Sequence, residues 1–333
     1  MSRGALARLY YLYPMKRLAL FYCLIVCVQV IGQTQSPNIY EFSTTPEFLN
    51  VKNYFYDNGE EVIVFDALPS TMAARKAIAS IQSKTKNPIT WVVILQPGVL
   101  QFSGASAYQA IGARVIASQK TVAAIQSEYE HRKKLFEAGA GVHFGIGTSE
   151  PLANVDSVFE GSHRLELKNG QAIILKDLSK SGASAHHTVA YIAEEEAVFV
   201  SDLIQYQTHS LLDGHVATGK NVPTWQSWID DLNELNKIFK RDPEITVYAS
   251  RGKLVNLPTG VYEQVRYLKA AYPIILNYYQ ANRSNWQGVN IPRKILQEFQ
   301  LQMEQAFPQL AMPELVRGAL PACWACPEAE KIK

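Results

Sequence analysis

The sequence has little cysteine and no excess of either charge. Four of its 333 residues are cysteine, and 32 basic against 30 acidic residues leave a formal net charge of +2. This balance provides no electrostatic footprint for nucleic acid or for anionic membrane surfaces, which excludes polyanions as expected partners. With 47% hydrophobic and 19% charged residues, the composition is that of an ordered globular chain, long enough for one large domain or two small ones.

Apolar runs long enough to span a membrane are also lacking. The basic residues Lys16 and Arg17 precede the apolar run 18–31, and a polar segment, 32–36, follows it. This order is typical of a signal peptide, which we place over 1–32 with cleavage after Gly32 and with Met15 as a second candidate start. About 20 apolar residues are usual for a permanent span, so an uncleaved anchor is the alternative. We expect an exported protein, periplasmic or secreted, with no stable membrane span after cleavage.

Signal cleavage would leave two cysteines, Cys323 and Cys326. Their C-x-x-C spacing suggests a dithiol redox site in a cytosolic βαβ context. Here the pair follows Pro321 close to the last residue, with no strand before it. We therefore expect a short terminal disulfide or two unreactive thiols, with redox catalysis as the alternative. A zinc knuckle would need a second pair.

The first half of the chain alternates predicted strands and helices. Strands are predicted at 51–56, 62–65, 91–95 and 113–117, and helices at 71–83 and 105–111. The turn Asp57-Asn58-Gly59 favours a hairpin between the first two strands. The continuous apolar run 91–95 is typical of a strand buried on both faces. Successive βα units predict a mainly parallel sheet with helices on its faces.

The second half changes character after a helix at 122–138. Strands are predicted at 165–167, 172–175, 188–192, 197–200 and 245–249, and a helix at 223–239. The predicted fold is α/β, a four-layer αβ/βα sandwich of two sheets enclosed by helices. We predict a linker at 33–47, the sandwich domain at 48–260 and a C-terminal helical extension at 261–333. Helical spacing of apolar residues in that extension favours docking on the domain, with a dimer interface as the alternative.

Three segments carry a resemblance to a known family. The strand pair ending at Asp66, the pair ending at Ser201-Asp202, and the loop Ser250-Arg251-Gly252 after a last strand occur in the right order. Over about residues 48–270 the sequence resembles the metallo-β-lactamase-fold hydrolases. The resemblance implies a four-layer sandwich with one or two zinc ions at its edge.

The resemblance also implies where the zinc ligands would fall. The family's His-x-His-x-Asp-His motif aligns with 96–101, so Gln96, Gly98, Leu100 and Gln101 replace three histidines and an aspartate. The later histidine falls on Ala183 and the last histidine on Arg251, while Asp202 matches the bridging aspartate. One carboxylate cannot make a site that needs three or four donors. We therefore predict a degenerate member that binds no metal, with zinc as the cofactor under the alternative.

Four histidines are weak candidates for displaced ligands or substrate contacts. His186 and His187 are adjacent, and neighbouring strand residues point to opposite faces, so at most one of them could face the pocket. A hydrogen-bonded loop histidine is the favoured interpretation for both. His209 and His215 follow Asp202 in a segment that often borders the family's pocket. No nucleophile-elbow motif marks a serine or cysteine triad.

Asp202 and Arg251 together support a sharper hypothesis. If both side chains point where the ligands pointed, the guanidinium can neutralise the carboxylate through a charge-assisted contact, bidentate in its strongest form. The alternative is that Asp202 caps a turn. Gln96 and Gln101 each supply a donor and an acceptor, so a cleft that they line could bind a polar ligand. Four aromatic residues nearby in sequence are candidates for its walls, although core packing is the commoner role of such residues: Phe102, Tyr108, Tyr206 and Trp225.

Three functions follow from these features. The first is an exported, metal-free protein that binds a small polar ligand or a protein partner through the vestigial pocket. The second is an active hydrolase of an ester, lactone or lactam with a rearranged metal site that uses His186 or His187 with Asp202. The third is a redox or assembly role for Cys323 and Cys326.

Overall fold

A computed structural model describes residues 36–137, 152–217, 220–222, 224–287 and 291–325. The predicted signal peptide, the glycine-rich segment 139–147 and Cys326 lie outside these ranges. Among the ranges described, no helix combines the length and the apolar character needed to cross a membrane.

The first sheet has six strands in sequence order. They are β1 (Ile39–Ser43), β2 (Lys52–Asp57), β3 (Val62–Phe65), β4 (Ile89–Ile94), β5 (Arg114–Ser118) and β6 (Ser157–Phe159). β1, β2 and β3 pair antiparallel, whereas β3 to β6 pair parallel. Alternate side chains of β4 enter different clusters, since Val92 faces the helices and Val93 faces the second sheet. Burial on both faces explains the continuous apolar run.

Helices cover the outer face of this sheet. They are α1 (Thr71–Gln82), α2 (Val99–Phe102), α3 (Ala105–Gln109) and α4 (Gln119–Glu137). The hydroxyl of Ser70 accepts a hydrogen bond from the backbone N–H of Ala73 and caps α1, which satisfies one of the donors that a helix start leaves unpaired. The predicted helices at 71–83, 105–111 and 122–138 are confirmed to within three residues at each end.

The second sheet also has six strands, in the order β14-β13-β10-β9-β8-β7. They are β7 (Ser162–Glu166), β8 (Ala172–Asp177), β9 (Thr188–Ile192), β10 (Ala197–Ser201), β13 (Thr246–Ala249) and β14 (Val255–Asn256). Most neighbours are antiparallel, but β10 and β13 run parallel. A separate hairpin joins β11 (His215–Ala217) and β12 (Lys220–Val222).

Four further helices form the outer layer on the second sheet. They are α5 (Trp225–Ile238), α6 (Leu257–Asn282), α7 (Arg293–Ala306) and α8 (Ala319–Ala325). Buried residues of all four belong to one cluster with the outer face of that sheet, for example Trp228, Leu268, Phe299 and Leu320. The helices after residue 260 therefore dock on the sandwich, as their apolar spacing predicts.

The inner faces of the two sheets meet in an aromatic-rich layer. The rings of Phe65 and Phe199 stack with centroids 3.7 Å apart, and Tyr248 packs against Phe199 at 5.0 Å. With helices on both outer faces, the layers are α, β, β and α. This arrangement confirms the predicted four-layer sandwich.

Two elements of the structure cross predicted domain boundaries. The predicted linker at 33–47 contains β1, which pairs with β2 over five residues and buries Ile39. The predicted boundary at 260 lies within α6, a helix that begins at Leu257 after Asn256 caps it. Both elements have tertiary contacts that the local pattern does not reveal.

Candidate functional site

The candidate site lies at one edge of the sandwich, where strands of both sheets end. Within two residues of the ends of β4, β10 and β13, the chain reaches Gln96, Asp202 and Arg251. Parallel strands end on the same side of a sheet, which brings Asp202 and Arg251 together. The backbone N–H of Thr188 donates to the carbonyl of Leu95 at 2.8 Å and joins the two sheets at this edge.

Asp202 is the centre of this site, and it is 4% exposed. Its Oδ2 accepts two amide N–H bonds, from Gln96 Nε2 at 2.7 Å and from Gln101 Nε2 at 2.8 Å. Because both glutamines use their nitrogens in this way, the orientation of both side-chain amides is fixed. The absence of a side chain at Gly98 leaves room for the Gln101 side chain, since a Cβ at Gly98 would lie 2.6 Å from Gln101 Oε1.

The other carboxylate oxygen of Asp202 is held by the loop after β13. Its Oδ1 accepts hydrogen bonds from the Ser250 hydroxyl and from Arg251 Nη1. Arg251 is 1% exposed, and its Nε donates to the carbonyl of Leu49 at 3.1 Å. The predicted contact between Arg251 and Asp202 is thus present, but through one nitrogen and not in the bidentate form. Arg251 Nη2 has no hydrogen-bond partner among the described residues.

These residues do not fit a zinc ion. Zinc needs lone pairs from imidazole, thiolate or carboxylate, whereas here amide and guanidinium N–H groups converge on Asp202. The lone pairs of the carboxylate are already accepting hydrogen bonds. Within the described ranges, no three His, Cys, Asp or Glu side chains come together to hold a metal. The other positions that the resemblance assigns to ligands hold side chains without a donor atom: Gly98, Leu100 and Ala183.

A second buried carboxylate, Asp66, accepts hydrogen bonds from residues next to Gln96 and Asp202. Its Oδ1 accepts the backbone N–H of Leu95 at 2.9 Å, and its Oδ2 accepts the Ser201 hydroxyl at 2.6 Å. Burial raises the pKa of Asp66 to about 7, although these two hydrogen bonds oppose the shift, and the charge of Asp202 adds to it. Asp66 therefore ties the ends of β3, β4 and β10 together.

The adjacent histidines do not line the cleft beside Asp202. His186 Nε2 lies 3.1 Å from Asp177 Oδ1, which also accepts the Thr188 hydroxyl at 2.8 Å. His187 is fully buried, and neither ring nitrogen has a hydrogen-bond partner among the described residues. Burial, with a smaller effect from His186, lowers the pKa of His187 to about 3. Among the described residues, tertiary packing therefore encloses the His187 ring without a hydrogen-bond partner, in contrast to His186.

The two later histidines are in different surroundings. His209 is buried, with Nδ1 3.1 Å from the Tyr267 hydroxyl and its ring edge-on to Phe307. Burial lowers the pKa of His209 to about 4. It packs against Tyr267 of α6 and is not among the residues that line the cleft. His215 begins β11, and its side chain lies outside the described part.

A narrow cleft opens beside Asp202, with a cavity volume of about 40 Å³. This volume holds only a few water molecules, since one needs roughly 10–15 Å³ on the same measure. Its walls come from the loop after β4, from α2, from α4, from the segment before β9 and from the loops after β10: Gln96, Gly98, Val99, Leu100, Gln101, Glu128, Ala183, Ser184, Asp202, Leu211, Asp213 and Gly214. The structure thus brings together all the predicted pocket residues except Arg251, which lies behind Asp202.

The four aromatic candidates for the walls of the cleft belong to the core, which is the commoner role of such residues. Phe102 and Tyr108 are buried with the helices of the first sheet, and Trp225 is buried with α6. Tyr206 is partly buried and packs against the cluster formed by the second sheet and its outer helices. Their positions near the site in sequence therefore did not indicate positions in the cleft.

Sequence reasoning missed three residues that shape the site: Asp66, Ser250 and Gln205. Gln205 Nε2 donates to the backbone carbonyl of Asp202 at 3.2 Å. A signal existed for Asp66, because a carboxylate directly after a buried strand lies at the functional edge of an open sheet. Ser250 also follows a buried strand directly, but it has no charge to mark it, and the role of Gln205 depends on loop conformation.

The architecture defines an α/β class in which two sheets meet face to face and present a polar site at their strand ends. No protein-family model matches the chain, and no curated protein does so. Solved structures do match. A metallo-β-lactamase family protein from Thermus thermophilus is 19% identical over 87% of this chain and 92% of its own, with a TM-score of 0.59.

Two other solved structures agree. A metallo-β-lactamase from Pontibacter korlensis is 15% identical over 72% of this chain and 98% of its own, with a TM-score of 0.53. The stereoselective inverting sec-alkylsulfatase Pisa1 from a Pseudomonas species is 13% identical over 88% of this chain but only 50% of its own, with a TM-score of 0.57. This chain has the metallo-β-lactamase fold. At such identities the likeness establishes the fold and not the activity.

Proposed function

We propose that this protein has lost zinc-dependent hydrolysis and binds a ligand through the cleft beside Asp202. The observation that carries the proposal is the contact of Arg251 Nη1 with Asp202 Oδ1. A protein cation there neutralises the one carboxylate among the seven ligand positions that the resemblance assigns. Metal and guanidinium compete for the same lone pairs, so zinc would have to displace a buried ion pair.

The chemistry of the remaining side chains supports the same proposal. Zinc-dependent hydrolysis depends on a metal that lowers the pKa of bound water from 15.7 to about 7. Glutamine has no titratable group, so Gln96 and Gln101 cannot act as general acid or base. His186 is held near Asp177, and the low pKa of His187 keeps that ring neutral. These groups favour recognition of a ligand over its hydrolysis.

Metal analysis and hydrolysis assays on the purified protein test this proposal. We expect less than stoichiometric zinc after incubation with excess zinc and dialysis, and no turnover of ester, lactone or chromogenic β-lactam substrates. The control is Asp202→Asn, which removes the only carboxylate at the assigned positions. Stoichiometric zinc in the wild type that is lost in Asp202→Asn, or hydrolysis that depends on Asp202, would overturn the proposal. Zinc retained equally by both proteins would place the metal elsewhere.

Export is part of the same proposal. It is supported by Lys16 and Arg17 ahead of the apolar run 18–31 and by the polar segment that follows. Expression of the full chain in a bacterial host, followed by cell fractionation and N-terminal sequencing, should recover a processed protein that starts near Gln33. A full-length protein in the membrane fraction would favour the uncleaved anchor instead.

A further inference from the structure

The cleft beside Asp202 is too narrow for a ligand of ordinary size. Its cavity volume of about 40 Å³ is well below the roughly 300–1,000 Å³ of most ligand pockets. The loop after β4, α2 and α4 supply its walls from the first half of the chain, and the segment 211–214 is its last wall from the second half. A ligand of ordinary size can therefore enter only after one of these walls moves.

The segment 211–214 is the wall with the least support from regular structure. It lies in neither a helix nor a strand, whereas the walls at Gln96 and Asp202 are joined by a hydrogen bond. Leu212 is buried in the cluster of the second sheet, which fixes the segment to the second half of the chain. Leu211 packs instead against the first-sheet cluster, formed by the first sheet and its outer helices. Separation of Leu211 from the first-sheet cluster would open the cleft.

A strap from the C-terminal extension holds this wall in place. The strap is the segment 310–318, which connects α7 to α8. The backbone N–H of His209 donates to the carbonyl of Ala311 at 2.8 Å, just before the wall begins. Further along the strap, Gly318 lies so close to the wall that a Cβ on it would be 2.8 Å from the Cβ of Asp213. The strap therefore contacts the chain both before and after the residue that reaches the first-sheet cluster.

The strap itself also reaches the first-sheet cluster. Leu315 is 1% exposed and belongs to that cluster, and Met312 packs against it. In the part of the chain that the structure describes, these two residues and Leu211 are the only members from the second half of the chain. Met312 has φ of +58°, a strained conformation for a residue with a large side chain, which packing must hold in place. Three apolar side chains thus seat the wall and the strap together on the first half.

From these contacts we infer that the C-terminal strap is an autoinhibitory element, which keeps the cleft beside Asp202 closed until Leu315 leaves the first-sheet cluster. The inference rests on the proposed function, because it concerns how a ligand gains access to the same cleft. When Leu315 withdraws, the wall keeps its anchor at Leu212 but loses the strap that holds Leu211 against the first half. The closed form predominates in the free protein, so the apparent affinity for a ligand falls in proportion to the open fraction.

A thiol placed in the cleft measures how often the cleft opens. Ser184 lines the cleft and is buried, so Ser184→Cys adds a thiol there with little change in volume. The rate of its alkylation by iodoacetamide at constant pH reports local opening, because a buried thiol reacts only when it is exposed. The unsubstituted protein gives the background from the native cysteines. We expect slow alkylation of the Ser184→Cys protein, which becomes roughly tenfold faster or more when Leu315→Ala is added.

Leu320→Ala is the matched control. Leu320 undergoes the same truncation and is as deeply buried as Leu315, but it belongs to the cluster of the second sheet. It should therefore destabilise the protein without faster alkylation of the cleft thiol. Gly318→Ala keeps the inference testable if Leu315→Ala fails to fold, because its added methyl group overlaps Asp213 and leaves both clusters intact. This variant should also accelerate alkylation.

The outcomes separate this inference from the proposed function. Equal acceleration by Leu315→Ala and Leu320→Ala, or no acceleration by either Leu315→Ala or Gly318→Ala, would overturn the role of the strap. So would alkylation of the Ser184→Cys protein as fast as that of a free thiol, because the cleft would then already be open. Zinc content and hydrolysis are measured on wild-type protein prepared in parallel. Zinc or hydrolysis that depends on Asp202 contradicts the proposed function, whatever the alkylation rates show.

Discussion

Arg251 determines the electrostatics of the site, because it is the cation that contacts Asp202. Both side chains are buried, so neither charge can be stabilised by bulk water. The hydrogen bonds from Gln96, Gln101 and Ser250 stabilise the carboxylate further. A buried pair of this kind contributes little net stability relative to apolar residues, but removal of one partner is costly.

We therefore expect Arg251→Met to destabilise the protein by about 3–5 kcal/mol, because Asp202 would be left buried without a counter-charge. The measurement is the free energy of unfolding in urea. The double variant Arg251→Met with Asp202→Asn should lose about 2 kcal/mol less than the sum of the two single losses, because the two sites are coupled. Additive losses would show that the two side chains do not depend on each other.

At this scale the sequence predicts the site only in part. The resemblance located Gln96, Gln101 and Asp202, and the structure brings these three into contact. The number of bonds and the partners supplied by loops were not predictable. Ser250 contacts Asp202 because it continues the parallel pairing of β13 with β10, in which its backbone N–H donates to the carbonyl of Ser201 at 2.9 Å. This pairing is a tertiary feature that the local pattern does not reveal.

At the scale of elements, the loop between β3 and α1 and the segment from α2 to α3 hold each other in place. The backbone N–H of Gly104 donates to the carbonyl of Leu68 at 2.9 Å. A Cβ at Gly104 would overlap the carbonyl oxygen of Ala67 and lie 2.8 Å from that of Ser70. This close approach positions α2, which carries Gln101, against the end of β3.

Gly104→Ala should destabilise the protein by about 2–3 kcal/mol, because backbone atoms of two elements would have to separate. Gly104 has φ of −82°, a conformation that alanine adopts readily. On backbone entropy alone the change would stabilise the protein by roughly 0.4–1 kcal/mol. The sign of the measured change therefore distinguishes steric overlap from the entropy effect. Gly112→Ala isolates the opposite effect: at φ of +90° with nothing near its Cβ position, it should destabilise through backbone strain alone and without overlap. Stabilisation by Gly104→Ala, measured by thermal unfolding, would contradict the close approach.

Sequence periodicity predicts an element best when one or both of its faces are apolar. β3 and β9 have the predicted bounds, Val62–Phe65 and Thr188–Ile192, because both are short runs of buried β-branched or aromatic residues. β1 and the hairpin of β11 and β12 were not predicted. β1 is a partly exposed edge strand with a mixed burial pattern, so it lacks the alternation that identifies a strand.

At the scale of the whole molecule, four buried titratable groups act on stability in opposite directions. Burial lowers the pKa of His187 to about 3 and of His209 to about 4, and it raises the pKa of Asp66 and Asp231 to about 7. Below pH 6.5 the histidines favour the unfolded chain, which binds more protons at these sites. Between about pH 3.8 and 7 the aspartates favour the folded chain, because here the folded chain binds more protons at these sites. The two contributions oppose each other from pH 4 to 6.5.

Single variants should separate these contributions. His209→Phe removes a group that is protonated between pH 4 and 6.5 in the unfolded chain only. The stability of the variant relative to wild type should therefore rise by up to about 3 kcal/mol as the pH falls from 6.5 to 4. Asp66→Asn removes a carboxyl group that is protonated between pH 3.8 and 7 in the folded chain only. Its relative stability should rise by up to about 4 kcal/mol as the pH increases across that window.

Urea unfolding at half-unit steps from pH 4 to 7 measures both slopes. Tyr267→Phe is the control for His209, because it removes the hydroxyl beside Nδ1 but no group that titrates in this range. It should shift the stability curve without changing its slope relative to wild type. The test depends on sign and not on magnitude, since loss of packing at either position offsets a curve equally at every pH. Parallel curves for His209→Phe and Asp66→Asn would contradict opposing titrations in the folded protein.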